Sequence, residues 1–228
     1  MKKYFVLSGL LFAFLPSIGQ KSTSTSDALV AKTNWTWELG IPLVTRNNSL
    51  FRNYNFQDSP NTEFLNGVFV RATKKSFALR LSMKYNAYSA ESPPCIGCND
   101  YLYVTETNKL FQIETGAQFS LLPKSSLLYV YTDVYYQNLF SKGNESGGFA
   151  GVYNSFTETC NGIGLHTGVG SKIRVWKSLF ISPDLGYSFL RSYTHGTSIN
   201  LLTNTSATYR YVNMNGNVYG RIILSVGF

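Results

Sequence analysis

The chain has 228 residues, a formal net charge of +8 and only 14% charged residues, with sixteen tyrosines and sixteen phenylalanines. This length fits one all-β domain, and this composition favours strands carrying aromatic belts over helices with solvated faces. Mean hydropathy is near zero, which excludes a bundle of apolar helices but not a β-barrel, in which every second residue faces away from lipid.

Residues 1–19 read as a secretory signal. Lys2 and Lys3 form its basic end, Phe5 to Leu15 its apolar stretch, and Ser17-Ile18-Gly19 its cleavage site, with Gln20 as the mature start. The apolar run is short and ends at Pro16, which argues against a membrane-spanning helix. Without Lys2 and Lys3 the positive excess is modest, and an exported protein meets no genome, so no nucleic-acid partner is expected. Residues 20–33 are rich in Ser and Thr without a period and read as a flexible periplasmic lead-in.

From residue 34 to 228 the apolar residues recur with period two in eight segments. The first sets Trp35, Trp37, Leu39, Ile41 and Leu43 on one face. The second, near Glu63 to Ala72, has no clear parity. The third alternates Phe77, Leu79, Leu81, Met83 and Tyr85 with Ala78, Arg80, Ser82, Lys84 and Asn86. The fourth sets Phe111, Ile113, Thr115, Ala117 and Phe119 against Gln112, Glu114, Gly116 and Gln118. The fifth puts Leu128, Val130, Thr132, Val134 and Tyr136 outward, with Tyr129, Tyr131, Asp133 and Tyr135 inward. The sixth alternates Ile163, Leu165, Thr167, Val169, Ile173 and Val175 with Gly162, Gly164, His166, Gly168, Gly170, Lys172 and Arg174. The seventh sets Leu179, Ile181, Leu185, Tyr187 and Phe189 against Ser182, Asp184, Gly186 and Ser188. The eighth runs from Tyr211 to Phe228, with Val212, Met214, Val218, Ile222, Leu224, Val226 and Phe228 on its apolar face.

Three connections are tight, around Thr73-Lys75, Pro123-Ser125 and Trp176-Ser178, and four are long, at 45–62, 88–108, 141–161 and 191–210. Short turns at one end and long loops at the other are the asymmetry of an outer-membrane barrel. The expected fold is an all-β, eight-stranded, antiparallel up-and-down transmembrane β-barrel with both termini periplasmic. A soluble lipocalin-like barrel shares the alternation but would point its apolar faces inward. The charges on the polar faces and the strand lengths favour the membrane form.

The run Tyr219-Gly220-Arg221-Ile222-Ile223-Leu224-Ser225-Val226-Gly227-Phe228 resembles the carboxy-terminal signal of small outer-membrane barrels of the OmpA and OmpX type. Pro183-Asp184-Leu185-Gly186-Tyr187-Ser188 resembles the penultimate strand of the outer membrane beta-barrel domain families, PorT-like proteins included. The resemblance implies that Gly220, Ile222, Leu224, Val226 and Phe228 are read by the barrel-assembly machinery; the peptidoglycan-binding domain of full OmpA is not expected. It is specific for architecture and weak for activity.

Eight strands leave an interior that side chains can fill, and Glu38, Arg80, Lys84, Glu114, Asp133, His166, Lys172, Arg174, Asp184 and Arg221 all take inward parity. Buried charges must pair, so a polar plug is expected there, with Glu38 among the candidate partners of Arg221; a gated pore is the alternative. The glycines of the sixth segment curve the wall, make room for tyrosines of the fifth, or leave a gap. Neither His166 nor His195 sits in a recognisable Ser–His–acid arrangement, so a non-enzymatic barrel is expected, with a lipid A-modifying enzyme as the competing activity. Cys95, Cys98 and Cys160 offer one disulfide, either Cys95–Cys98 or a link from one of them to Cys160. No cofactor or metal is expected. Outer-membrane lipid and lipopolysaccharide are the expected surroundings. Aromatics among Asn, Ser and Gly in the long loops suit protein-partner binding or envelope contacts.

Overall fold

The computed structural model describes residues 35–49, 61–92, 102–122, 125–147 and 152–228. The expected signal at 1–19, the lead-in at 20–33, and Cys95 and Cys98 lie outside them. The described residues belong to the unit Asn34–Phe228.

Ten β elements follow one another: β1 (Thr36–Ser49), β2 (Asn61–Phe64), β3 (Val68–Lys74), β4 (Phe77–Ser92), β5 (Leu102–Leu122), β6 (Ser125–Gly147), β7 (Val152–Ser171), β8 (Ile173–Trp176), β9 (Leu179–Asn200) and β10 (Thr205–Gly227). The sheet order is β10-β1-β3-β4-β5-β6-β7-β9, and β9 pairs with β10 to close the ring. Every pairing is antiparallel. β2 and β3 both pair with β1 and share one strand position, and β8 continues β7 along β9. The result is the expected barrel of eight strand positions.

Between β2 and β3 the ladder breaks, yet Glu63, Phe69 and Arg71 keep one inward parity; the second segment shows no clear parity because Leu65 and Phe69 place apolar side chains at these odd positions. Leu65 and Gly67 take φ of 52° and 127° there, so the chain leaves and re-enters the ladder within three residues. Only glycine fits at 67, because a Cβ would lie 2.4 Å from the Met83 carbonyl oxygen. A second irregularity lies in β1, where the register shifts between Pro42 and Val44. Leu43 is the extra residue, so Val44 and not Thr45 continues the outward face.

The barrel is inside-out. Leu79, Leu81 and Met83 on β4, Ile113 on β5, Val134 on β6, Leu165 and Val169 on β7, and Leu185 on β9 are exposed. Glu38, Arg71, Arg80, Asp133, Asp184 and Arg221, each at most 4% exposed, point inward. A soluble barrel would show the reverse. The alternation therefore resolves in the direction expected of a wall that faces hydrocarbon. Phe69 and Ile223 depart from the code: both are apolar and buried in the lumen, Phe69 beneath Arg71, Arg80 and Arg221 and Ile223 between the outward Ile222 and Leu224.

Most of the length predicted as long loops is strand. β1 runs to Ser49, β4 to Ser92, and β5 starts at Leu102; the remainder of the first two predicted loops, 50–60 and 93–101, lies outside the described residues. Segment 141–161 is the hairpin of β6 and β7, paired from Ser141↔Glu158 to Gly147↔Val152. Segment 191–210 is the hairpin of β9 and β10, paired up to Asn200↔Thr205. Its turn, Leu201–Asn204, is held by the Asn200 side-chain oxygen, which accepts from the Leu202 and Thr203 amides at 3.0 Å each. These stretches read as loops in the sequence because a visible period of two needs one apolar and one polar face. Above the apolar band the outward residues turn polar, and the inward ones, such as Ser141, Ser192 and Thr194, are polar although buried, so the strand signal survives only as β-propensity, as in Thr208-Tyr209-Arg210-Tyr211-Val212. β6, with 23 residues, rises roughly 60 Å along the axis at the usual strand tilt, well beyond an apolar band about 25 Å tall.

Candidate functional site

The lumen holds the densest chemistry among the described residues, arranged along the barrel axis in three groups. The lowest is centred on Glu38 of β1. Arg71 of β3 reaches both of its oxygens, Nη2 to Oε2 at 2.5 Å and Nε to Oε1 at 3.2 Å. Lys172, between β7 and β8, donates to Oε1 at 2.6 Å and Ser225 of β10 to Oε2 at 3.2 Å. Arg71 also donates to Gln118 and Ser182, both at 3.3 Å. This bidentate, multiply satisfied geometry is what allows a buried ion pair to persist.

The central group joins five strands. Asp184 of β9 accepts from Arg80 of β4 at 2.6 Å, from Arg221 of β10 at 3.2 Å and from the Tyr129 hydroxyl of β6 at 2.6 Å. Arg221 also donates to Glu114 of β5 at 2.8 Å. Asp133 lies 3.2 Å from Arg80 and 3.5 Å from Arg221. Rings pack around these charges: Arg80 sits 4.2 Å over Tyr131, and His166 is stacked between Tyr135 and Tyr219, with both centroids 4.2 Å away. The upper group pairs Lys84 with Glu63 at 2.5 Å; Asn66 and Asn86 also donate to Glu63.

Leaving His166 aside, five cations (Arg71, Arg80, Lys84, Lys172, Arg221) meet five carboxylates (Glu38, Glu63, Glu114, Asp133, Asp184). Of the residues expected in the lumen, Glu38, Arg80, Lys84, Glu114, Asp133, His166, Lys172, Asp184 and Arg221 come together. Arg174 does not: it has inward parity but lies exposed at the rim, where its Nε donates to the Lys177 carbonyl at 2.6 Å. Arg221 meets Glu114, Asp184 and Asp133, and Glu38 is taken by Arg71 and Lys172. Sequence reasoning leaves out Arg71 and Glu63, because apolar Leu65 and Phe69 share their parity and blur the alternation.

The other singled-out residues fall elsewhere. Gly220, Ile222, Leu224, Val226 and Phe228 face outward, with Ile222, Val226 and Phe228 exposed. Phe228 exchanges backbone hydrogen bonds with Trp37. Cys160 is a half-buried free thiol, and its candidate partners Cys95 and Cys98 lie outside the described residues. His166 lies 3.7 Å from Glu114, and His195 pairs in register with Thr159 and Arg210. Among the described residues neither histidine hydrogen-bonds a serine.

The glycines of β7 make room for the tyrosines of β6. A Cβ at Gly164 would lie 2.2 Å from the Tyr135 ring, and one at Gly170 would lie 2.5 Å from Tyr129. Gly164→Ala is therefore expected to cost about 1–3 kcal/mol by overpacking. Gly220→Ala, whose Cβ would meet nothing nearer than 3.9 Å, should stay within about 0.5 kcal/mol of the parent. Urea midpoints of the refolded barrels, read by heat-modifiable gel mobility, compare the two.

No family model matches the chain, and no curated protein matches it. Solved structures similar to it are outer-membrane proteins. A major outer membrane protein from Thermus thermophilus is 12% identical over 85% of this chain and 99% of that chain, with a TM-score of 0.48. Ail, the attachment invasion locus protein of Yersinia pestis, is 12% identical in its complex with the heparin analogue sucrose octasulfate, over 85% and 97% of the two chains, with a TM-score of 0.36. A second structure of Ail gives 11% over the same shares, with a TM-score of 0.37.

Proposed function

We propose that this chain is a non-enzymatic, non-conducting barrel of the outer membrane of a Gram-negative bacterium, which displays a tall strand scaffold outside the cell. The observation that carries this reading is the pairing of an apolar exterior with a lumen whose charges are matched one for one. Such a lumen is a plug: opening it to ions would mean separating several buried pairs at once. The tight-turn end, with Phe228, is then periplasmic, and the run ending in Phe228 is the segment offered to the barrel-assembly machinery. At the other end the hairpins of β6–β7 and β9–β10 stand above the lipid. Tyr209 and Tyr211 donate to Glu158 across that scaffold, at 2.9 and 3.4 Å, which stiffens it as a surface for a protein partner or for neighbouring envelope components.

The plug reading has a direct test. The refolded wild-type protein in planar bilayers is expected to show no unit conductance across the physiological voltage range. A reproducible open level in the wild type would overturn the plug and favour a narrow ion channel.

A further inference from the structure

Three strands of the upper scaffold form a groove that the lumen does not use. It holds about 340 Å³ and is lined by Ser89 and Glu91 of β4, Thr105 and Thr107 of β5, and Lys142 and Asn144 of β6. The ladder sets these side chains in two adjacent rows, Ser89–Thr107–Lys142 and Glu91–Thr105–Asn144. All six share the outward parity of Leu81, Ile113 and Val134 on their own strands. The rows lie beyond the outward pair Tyr85↔Phe111, roughly 10 and 15 Å further along the axis at the usual tilt. Glu106, of inward parity, also reaches the groove, and its Oε1 accepts from Asn108 at 2.8 Å.

The lining narrows the occupant. β5 is paired on both sides through these rows, so the groove offers side chains and no free strand edge, which excludes an added β-strand. It has no aromatic or large aliphatic floor to anchor an apolar partner. Glu91 and Lys142 stand diagonally across it, about 10 Å apart at the usual strand spacing, and no ion pair joins them among the described residues. The carboxylates only accept, the ammonium only donates, and the hydroxyls and carboxamide do both. An anion would be repelled by Glu91 and Glu106, and a cation would face Lys142. A ligand that meets all of these groups must donate and accept at closely spaced points, which is the chemistry of a polyol. Tyr103 supplies the other half of such a site. Its ring is exposed at the next outward position of β5, and its hydroxyl donates to Glu91 at 3.1 Å, so a flat apolar face is held beside the polar groove.

We propose that this groove binds an uncharged saccharide. Glu91, Thr105, Thr107, Lys142 and Asn144 meet the ring hydroxyls, and Tyr103 stacks on the C–H face of the sugar. The sugar belongs to a glycan chain in the aqueous layer and not to a lipid headgroup, because the groove begins roughly 10 Å beyond the aromatic row of β4 and β5.

This inference rests on the membrane reading above for the height of the groove, and the experiment separates the two. Wild-type protein is refolded into phosphatidylcholine nanodiscs free of glycolipid and applied to an array of neutral and anionic oligosaccharides. At least one neutral glycan should be retained. Its affinity should fall about tenfold in Glu91→Gln/Thr105→Val and in Tyr103→Ala. Thr197→Val, in the same row on β9 but outside the groove, should bind as the wild type does. None of these side chains points into the lumen, so the variants should keep the heat-modifiable gel mobility of the wild type. Retention of anionic glycans alone, retention of none, or equal binding by the wild type and the groove variants would overturn the site and leave the barrel intact. Failure of the wild type to enter the nanodiscs would sink the membrane reading, and the placement of the groove with it.

Discussion

Asp184→Asn is expected to destabilise the barrel by about 3–5 kcal/mol, the cost of leaving buried charges without their partner. Asp184 holds Arg80, Arg221 and Tyr129 at once. Its replacement leaves two guanidinium groups that face each other with less negative charge between them. Asp133 cannot take its place without moving, because its contacts with both arginines are already longer, at 3.2 and 3.5 Å. The measurement is the urea midpoint of the refolded protein. Adding Arg80→Met to Asp184→Asn should recover part of the loss, because it removes one of the stranded charges. A double variant whose loss equals the sum of the single losses would show that the two residues are not coupled.

Leu165→Arg should cost roughly 2–4 kcal/mol, the penalty for a cation facing the bilayer midplane. The structure supplies an internal control on the same face of the same strand. Ser155 also faces outward on β7, ten residues nearer the end that carries the tall hairpins, or roughly 25 Å further along the axis at the usual tilt. Ser155→Arg should therefore be nearly neutral, within about 0.5 kcal/mol. Refolding yield and midpoint in phosphatidylcholine bilayers would show the contrast. Equal effects at both positions would mean that β7 meets one solvent along its whole length.

The legibility of this chain in its sequence follows the solvent boundaries. Where one face of a strand meets hydrocarbon and the other meets the lumen, as at Phe77 to Asn86 or Gly162 to Arg174, the parity read from residue types is the parity found. The lumen residues expected from β4, β5, β6, β9 and β10 come together for the same reason. Three kinds of local event defeat the reading. Apolar Leu65 and Phe69 at odd positions conceal Arg71 and Glu63, although both hold lumen ion pairs. A position at the mouth of the barrel leaves Arg174 in water despite its inward parity. Polar side chains on both faces above the band erase the period, so the hairpins around 141–161 and 191–210 read as loops. Even Ile223 obeys a local logic: the lumen at that level is packed with side chains, and an apolar one is tolerated once the neighbouring charges are satisfied.

The central claim is that the exterior is lipid-facing and the lumen closed. Residue-resolved magnetisation transfer from lipid and from water, measured by solid-state NMR on the wild-type protein in bilayers, tests it without any substitution. Along β4, Leu79, Leu81, Met83 and Tyr85 should receive magnetisation from acyl chains. Ala78, Arg80, Ser82 and Lys84 should receive none from lipid, and the side chains of Arg80, Asp184 and Arg221 should build up slowly from water. Lipid transfer to the even-numbered positions would contradict the inside-out barrel, and rapid water transfer to the central arginines would contradict the plug.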